Sequence, residues 1–259
     1  MFQHIVYEVE GPVATITLNR PAQLNAWSAL MGKEVREAIR LATADPDVVG
    51  IVLTGAGRGF CAGADVSTLA GHVPDGEAPA ALPTEADGYE FLVRCPKPII
   101  AAINGPAAGL AVAVVLHCDL RFMADNAIIT TAFAQRGLVA EWGIGWLLPR
   151  LVGMHKAKEL LFFGDDLSAE DAAQLGIVNK VVPPAELQAT AKEWAERLAL
   201  GPTKAIGWTK KLLHDASEVS RRDLLETEAM LVELNTMTED QGEGVAAFRE
   251  RRAPEWKGF

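Results

Sequence analysis

Two short, almost wholly aliphatic runs, VVGIVLTG at 48–55 and PIIAAI at 98–103, restrict this chain more than any other feature. Neither alternates apolar with polar residues, so each reads as a strand buried on both faces rather than one with a wet side. Their apolar runs begin 48 residues apart, at Ile51 and Ile99, and each strand is followed by a glycine-containing turn and a helix start of small residues. That spacing predicts a repeated strand–turn–helix unit. The apolar stretch continues from 99 to 116, but Asn104, Gly105 and Pro106 break it where a membrane-spanning helix has to stay continuous. A buried strand, a turn and a buried helix are expected there instead.

The flanking segments fit an α/β core. Residues 5–10 and 13–19 are β-rich on either side of Gly11-Pro12, and Val13, Thr15 and Thr17 alternate with Ala14, Ile16 and Leu18 as in a hairpin. Ser28 stands where it can cap a helix whose Met31, Val35, Ala38, Ile39 and Ala42 form one apolar stripe ending near Asp45-Pro46. Beyond Lys180 the segments 185–198, 203–216, 221–237 and 245–252 all have helical spacing. Between the two buried units, 71–90 holds three prolines, three glycines and five acids without a Lys or Arg, and a mobile surface loop is expected.

Composition removes several function classes. At roughly 100 to 200 residues per domain, a chain of 259 residues forms one large or two small domains. With 49% hydrophobic and 22% charged residues it is an ordinary globular chain, and a net charge of -10 argues against nonspecific binding to nucleic acid or to an anionic membrane surface. Five of those negative charges sit in 71–90, so the rest of the molecule is less hostile to an anion than the total implies. Cys61, Cys95 and Cys118 are odd in number and lack CxxC spacing, which predicts neither a disulfide framework nor a thiolate zinc site and fits a reducing cytosol. The segment MFQHIVYEVEG has no basic flank and no apolar core, so it is not read as a signal peptide, and a cytoplasmic location is expected.

Familiar catalytic motifs are missing from the sequence. GAGRGFCAGAD at 55–65 lacks GxGxxG and GK[ST] spacing, there is no GxSxG, and His4, His72, His117, His155 and His214 are scattered without HExxH spacing. What remains is a pair of glycine-flanked turns, FCAGAD at 60–65 and INGPAAGLAVAV at 103–114, each joining a buried strand to a helix start. Backbone N–H groups at such a point have no partner inside the helix. Two that converge can hold a developing oxyanion. A single turn of this kind is better explained by glycines that only permit tight bends and close packing.

FCAGAD, then PIIAAINGPAAGLAVAVVLHCDLRFMADNA, then RGLVAEWGIGWLLPRLVG, and finally AAFRERRAPEW make the chain resemble the crotonase superfamily of enoyl-CoA hydratases and isomerases, with the motifs in family order from NRPAQLNAWS onward. The resemblance implies a crotonase-like spiral of ββα repeats over residues 1–200 that binds acyl-CoA. It further implies a helical region over 201–259 that associates into a homotrimer or a dimer of trimers. The implied substrate is a coenzyme A thioester, with no cofactor beyond the coenzyme A carried by the substrate and no metal.

Position by position, the resemblance puts the oxyanion donors at the backbone N–H groups of Ala62 and of Leu110, after Gly109. It puts Leu24, Ala26, Ala62, Ala64, Asp65 and Val66 along the pantetheine and adenine site, and has Phe248 and Arg251 reach the adenine and phosphate end from a neighbouring subunit. The net positive RERRAPEWK at 249–257 agrees with that, although without the resemblance a solvated helix face is the better reading of it. Hydratases of this family share their proton transfers between two glutamates, and here those positions are Ala113 and Phe133, neither of which can move a proton.

Glu141 lies eight residues beyond Phe133, where several family isomerases carry their acid/base carboxylate. A double-bond shift needs one such group: it takes a proton from C2 of a 3-enoyl thioester and returns it at C4. Flanking Trp142, Val139 and Phe133 are expected to make the surroundings apolar and raise the Glu141 pKa. The competing expectation is a structural glutamate paired with Arg136 or Arg150, or capping a helix at Gly143. Asp65 is expected to cap a helix, Asp119 to serve a structural hydrogen bond, and Cys61 to point into the core. Trp27, Trp142 and Trp146 either shape an acyl pocket or fill the core. The sequence thus favours a Δ3-Δ2 enoyl-CoA isomerase, with a hydratase using a rearranged acid/base set, or a non-catalytic acyl-CoA carrier, as the alternatives.

Overall fold

The computed structural model describes residues 1–65 and 89–258, so Val66 and nearly all of the acidic loop at 71–90 lie outside the described residues. Strands β1 (Ile5–Glu10) and β2 (Val13–Leu18) form the expected hairpin, in register from Ile5 opposite Leu18 to Glu10 opposite Val13. The sheet then continues in parallel through β3 (Gly50–Gly55), β4 (Ile99–Ile103), β6 (Leu120–Ala124) and β9 (Lys180–Val182). Every residue of β3 and β4 is buried, which is why neither alternates. Ile51 pairs directly with Ile99, so the 48-residue spacing of the sequence is the register between neighbouring strands.

A smaller sheet, unforeseen in the sequence, orders β5 (Ala107–Ala108), β7 (Ile128–Thr130) and β8 (Leu167–Ser168). Its strands are only two or three residues long, too short to show a period of two. The first of them occupies part of what the sequence presents as a plain turn between strand and helix. The helix Leu110–His117 that follows is buried at every position. No helix among the described residues is long and apolar enough to cross a membrane.

The helix Ala29–Ala44 starts where Ser28 accepts the Met31 N–H, and it buries the stripe Met31, Val35, Ala38, Ile39 and Ala42 against the hairpin. Leu187–Ala199 packs on β3 and β4. Thr203–Asp215, Arg221–Thr236 and Glu239–Glu250 follow as expected, except that the last begins six residues before the predicted 245. Thr238 caps it by accepting the Gln241 N–H, and Glu239 and Asp240 favour its positive end. Gly242 and Gly244 had hidden that start by interrupting the apolar period.

One buried ion pair ties the C-terminal helices to the sheet. Lys210 donates to Asp119 at 2.7 Å and to the carbonyls of Lys97 and Leu92 at 3.2 and 3.3 Å, while Asp119 also accepts the Ile99 N–H at 2.7 Å. Burial alone would raise the Asp119 pKa. His214 at 3.6 Å, Lys210 and the Ile99 amide outweigh it and hold the carboxyl below its ordinary range. Asp119 is therefore structural, as the sequence suggested.

Candidate active site

The two glycine turns meet at the carboxyl ends of β3 and β4. Asn25, fully buried with φ +56, donates its side-chain amide to the carbonyls of Ala56 and Gly59 and so fixes the approach to the first turn. Phe60 and Cys61 both donate to the Pro106 carbonyl at 3.1 Å, and Ala108 donates back to Cys61 at 3.0 Å. Gly63, with φ +93, allows a close approach: a Cβ there would lie 2.9 Å from the Ala108 carbonyl oxygen and 3.9 Å from the Gly109 Cα. Both turns are thus laced together by backbone bonds, and the Asn104 side chain adds to them by accepting the Gly55 N–H at 3.1 Å and donating to the carbonyls of Gly57 and Gly59 at 3.0 and 3.3 Å.

These bonds correct one expected donor. The Ala62 N–H is spent on the Leu24 carbonyl at 3.0 Å, so it is not available to an oxyanion. Further along, Trp27 donates to Gly63 at 2.8 Å and accepts from Asp65 at 3.0 Å, which turns the Ala64 peptide to the opposite side of that bridge. Ala64 donates to no other described residue. Leu110, first residue of the helix after Gly109 (φ +54), likewise has a backbone N–H without a described acceptor, as the first turn of a helix requires. Two neighbouring turns therefore each offer one open amide.

The other expected contact residues divide. Leu24, held at φ +50, and Ala26 are half-buried beside the first turn, and Arg20 binds both the Ala26 carbonyl and Asp65 at 2.7 Å. The Asp65 carboxylate is thus committed to an ion pair, and the helix it was expected to cap falls outside the described residues. Phe248 and Arg251 are exposed on the last helix and at its left-handed C-cap, and that helix packs on Arg221–Thr236. Within the basic cluster, Arg252 pairs with Glu243 and Glu250 and Lys257 with Glu239. Arg249 and Arg251 form no ion pair among the described residues. The Cys61 thiol is buried, and burial pushes its pKa up to about 12, so it is inert.

Glu141 is half-buried just before the helix Ile144–Val152. Its carboxylate has no hydrogen bond or ion pair among the described residues, and burial raises its pKa above the ordinary range. Glu141 fills none of the three structural roles considered for it among the described residues. Arg136 donates to the Ala132 carbonyl and Arg150 to that of Trp146, and no side chain caps the helix. Trp142, in the left-handed region at φ +57, meets the buried Trp27 edge-on, with ring centroids 6.0 Å apart and planes at 80°. Phe133 is buried, and Ala113 is fully buried in its helix. Val139 does not contribute the apolar wall expected of it, because it is 86% exposed. Trp146 lies under Arg150, 3.9 Å from its guanidinium carbon, and is partly exposed rather than part of a pocket with Trp27.

Sequence reasoning missed Tyr89 and His117. Their rings stack, centroids 4.1 Å apart, between the helix that starts at Leu110 and the segment that carries Glu141. A lone histidine at the end of an apolar run and a tyrosine after an acidic loop gave no periodic signal that would have paired them.

Comparison with known proteins gives the family. The enoyl-CoA hydratase/isomerase family profile matches residues 8–258. The chain is 36% identical, over 100% of both sequences, to a 1,2-epoxyphenylacetyl-CoA isomerase of Escherichia coli K12. It is 34% identical to a short-chain-enoyl-CoA hydratase of Clostridium acetobutylicum, over 96% of this chain and 95% of that one. A solved enoyl-CoA hydratase of Bacillus anthracis superimposes with a TM-score of 0.91 at 32% identity, over 99% of this chain and 100% of that one.

Proposed function

We propose, from the premise that this chain belongs to the enoyl-CoA hydratase/isomerase family of the crotonase superfamily, that it moves the double bond of a 3-enoyl-CoA to the 2 position with Glu141 as the acid/base. The observation that carries this reading is a half-buried carboxylate without a partner among the described residues, whose pKa is raised by burial, in a chain with Ala113 and Phe133 where hydratases of the family have their glutamates. In this mechanism the Glu141 carboxylate takes a proton from C2. The electrons of that C–H bond move into a dienolate, whose oxygen accepts hydrogen bonds from the Ala64 and Leu110 amides, and the same carboxyl group returns the proton at C4. Each such donor contributes about 3 kcal/mol to the transition state.

A thioester has to reach the two turns past Leu24, Ala26 and Asp65, with its phosphates toward basic residues. We assign that end to Arg251 and Phe248 of a neighbouring copy in a trimer or a pair of trimers, associated through region 201–259. The exposure of Leu225, Met230, Val232 and Met237 on the C-terminal helices supports association of that kind. Hydration with another group activating water is the second reading, favoured by relatives that are named hydratases. Incubating the protein separately with 3-enoyl-CoA and 2-enoyl-CoA separates the two. Isomerisation gives a product of unchanged mass with the absorbance of a conjugated thioester, and hydration gives a 3-hydroxyacyl product one water heavier.

A further inference from the structure

Tyr89 joins the two halves of the site through its ring. One face stacks on His117 at a centroid distance of 4.1 Å and an interplanar angle of 29°. Its phenol edge lies against the backbone of Gly143, where a Cβ would meet Cε1 at 2.7 Å, Cζ at 2.8 Å and Oη at 3.1 Å. Gly143 is two residues beyond Glu141, and His117 is the last residue of the helix that begins at Leu110.

His117 is a firm base for this contact. It is 4% exposed, and its Nδ1–H donates to the Ala113 carbonyl at 2.7 Å. Nε2 is then a bare acceptor with no hydrogen bond among the described residues, so the ring is held by one bond and by stacking. Burial takes its pKa down to about 4, and the imidazole stays neutral across the working pH range. Next to Gly143 in the chain, Trp142 packs edge-on against Trp27. Oη of Tyr89 has no hydrogen bond to a described residue, so the residue acts here by packing rather than by hydrogen bonding.

We propose that Tyr89 is the positioning residue for Glu141: clamped between His117 and Gly143, its ring sets the carboxylate's place relative to the Leu110 amide and closes one side of that segment to water. This rests on Glu141 being the acid/base. Among the described residues no charged group is paired with the Glu141 carboxylate, and His214 and Arg121 act on His117. Arg136 and Arg150 are turned to carbonyls, Glu90 is paired with Arg94, and Glu90 and Glu218 act on the Tyr89 phenol itself. Burial is the cause of the Glu141 shift, so opening this wall has a predictable sign.

The test is Tyr89→Ala beside Tyr89→Phe, alone and with Glu141→Gln, read as kcat, KM and the pH profile of kcat on a 3-enoyl-CoA, with the Glu141 carboxyl titrated directly by 13C NMR. Tyr89→Ala is expected to lower kcat by on the order of 10² with KM little changed, since small misplacements of a catalytic group cost that much. It should also move the Glu141 titration and the acid limb of kcat to lower pH, toward the ordinary carboxylate range. Tyr89→Phe restores both, and Tyr89→Ala adds nothing once Glu141 is Gln. Should Tyr89→Ala not fold, Tyr89→Leu, which keeps bulk but has no flat face, carries the same expectations. A folded Tyr89→Ala or Tyr89→Leu whose Glu141 titration and kcat match the parent overturns the proposal, as does Tyr89→Phe behaving like the alanine variant. If instead Glu141→Gln alone leaves kcat unchanged, the acid/base reading falls, and the NMR titration still decides whether Tyr89 sets the carboxyl's surroundings.

Discussion

The Ala62 N–H donates to the Leu24 carbonyl at 3.0 Å, and this bond moves the open amide of the first turn two residues on, to Ala64. Its counterpart at Leu110 is testable by proline, which the first position of a helix tolerates, with the loss of the buried leucine side chain controlled by Leu110→Ala. Leu110→Pro removes one N–H and is expected to lower turnover by about 10² to 10³, with an unchanged circular dichroism spectrum. A folded variant with parental kcat would remove Leu110 from the mechanism.

At Gly63 the first turn lies close against the second. A methyl group there would sit 2.9 Å from a backbone carbonyl, in a peptide at φ +93 that side chains avoid. Gly63→Ala is expected to lose about 1 to 3 kcal/mol of stability from the backbone conformation alone, read by urea denaturation, and to lose activity by spreading the turns. Parental stability together with parental turnover would mean that the close approach is dispensable.

Asp119 and Lys210 form a buried pair, and removing one partner strands the other. Asp119→Ala should cost about 3 to 5 kcal/mol in denaturant unfolding. The folded-state pKa of Asp119 is depressed, so its contribution is fully present above the ordinary aspartate range and is lost as the pH falls through the lower folded value. The stability difference between parent and variant should therefore shrink in acid. A difference that is constant down to strongly acidic pH contradicts the linkage.

The sheet was legible because its central strands are uniformly apolar, and because the 48-residue offset between Ile51 and Ile99 is itself the strand register. The helix at Ala29–Ala44 was legible from Ser28 and a single stripe. The small sheet was not, since strands of two or three residues carry no periodicity. At the site, resemblance located the two turns to within a couple of residues but chose the wrong amide. Which N–H is free depends on the Trp27–Ala64 bridge, a contact made only by folding. Tyr89 was invisible for the same reason, as its partners His117 and Gly143 lie 28 and 54 residues away.

Coenzyme A binding should depend on Arg251, an exposed arginine without an ion pair among the described residues. Arg251→Glu is expected to weaken binding in titration calorimetry and to flatten the loss of affinity with rising salt, as removing a screened charge contact does. Unchanged affinity at low salt would remove Arg251 from the phosphate end.

Glu141→Gln keeps the shape of the side chain and removes its proton acceptor. With a 3-enoyl-CoA it should cut kcat by about 10² to 10⁴ while coenzyme A affinity is nearly unchanged. In the parent, kcat should fall as the pH drops through a Glu141 pKa lying above the ordinary carboxylate range. Turnover of the 3-enoyl-CoA by Glu141→Gln at the parental rate would contradict the account.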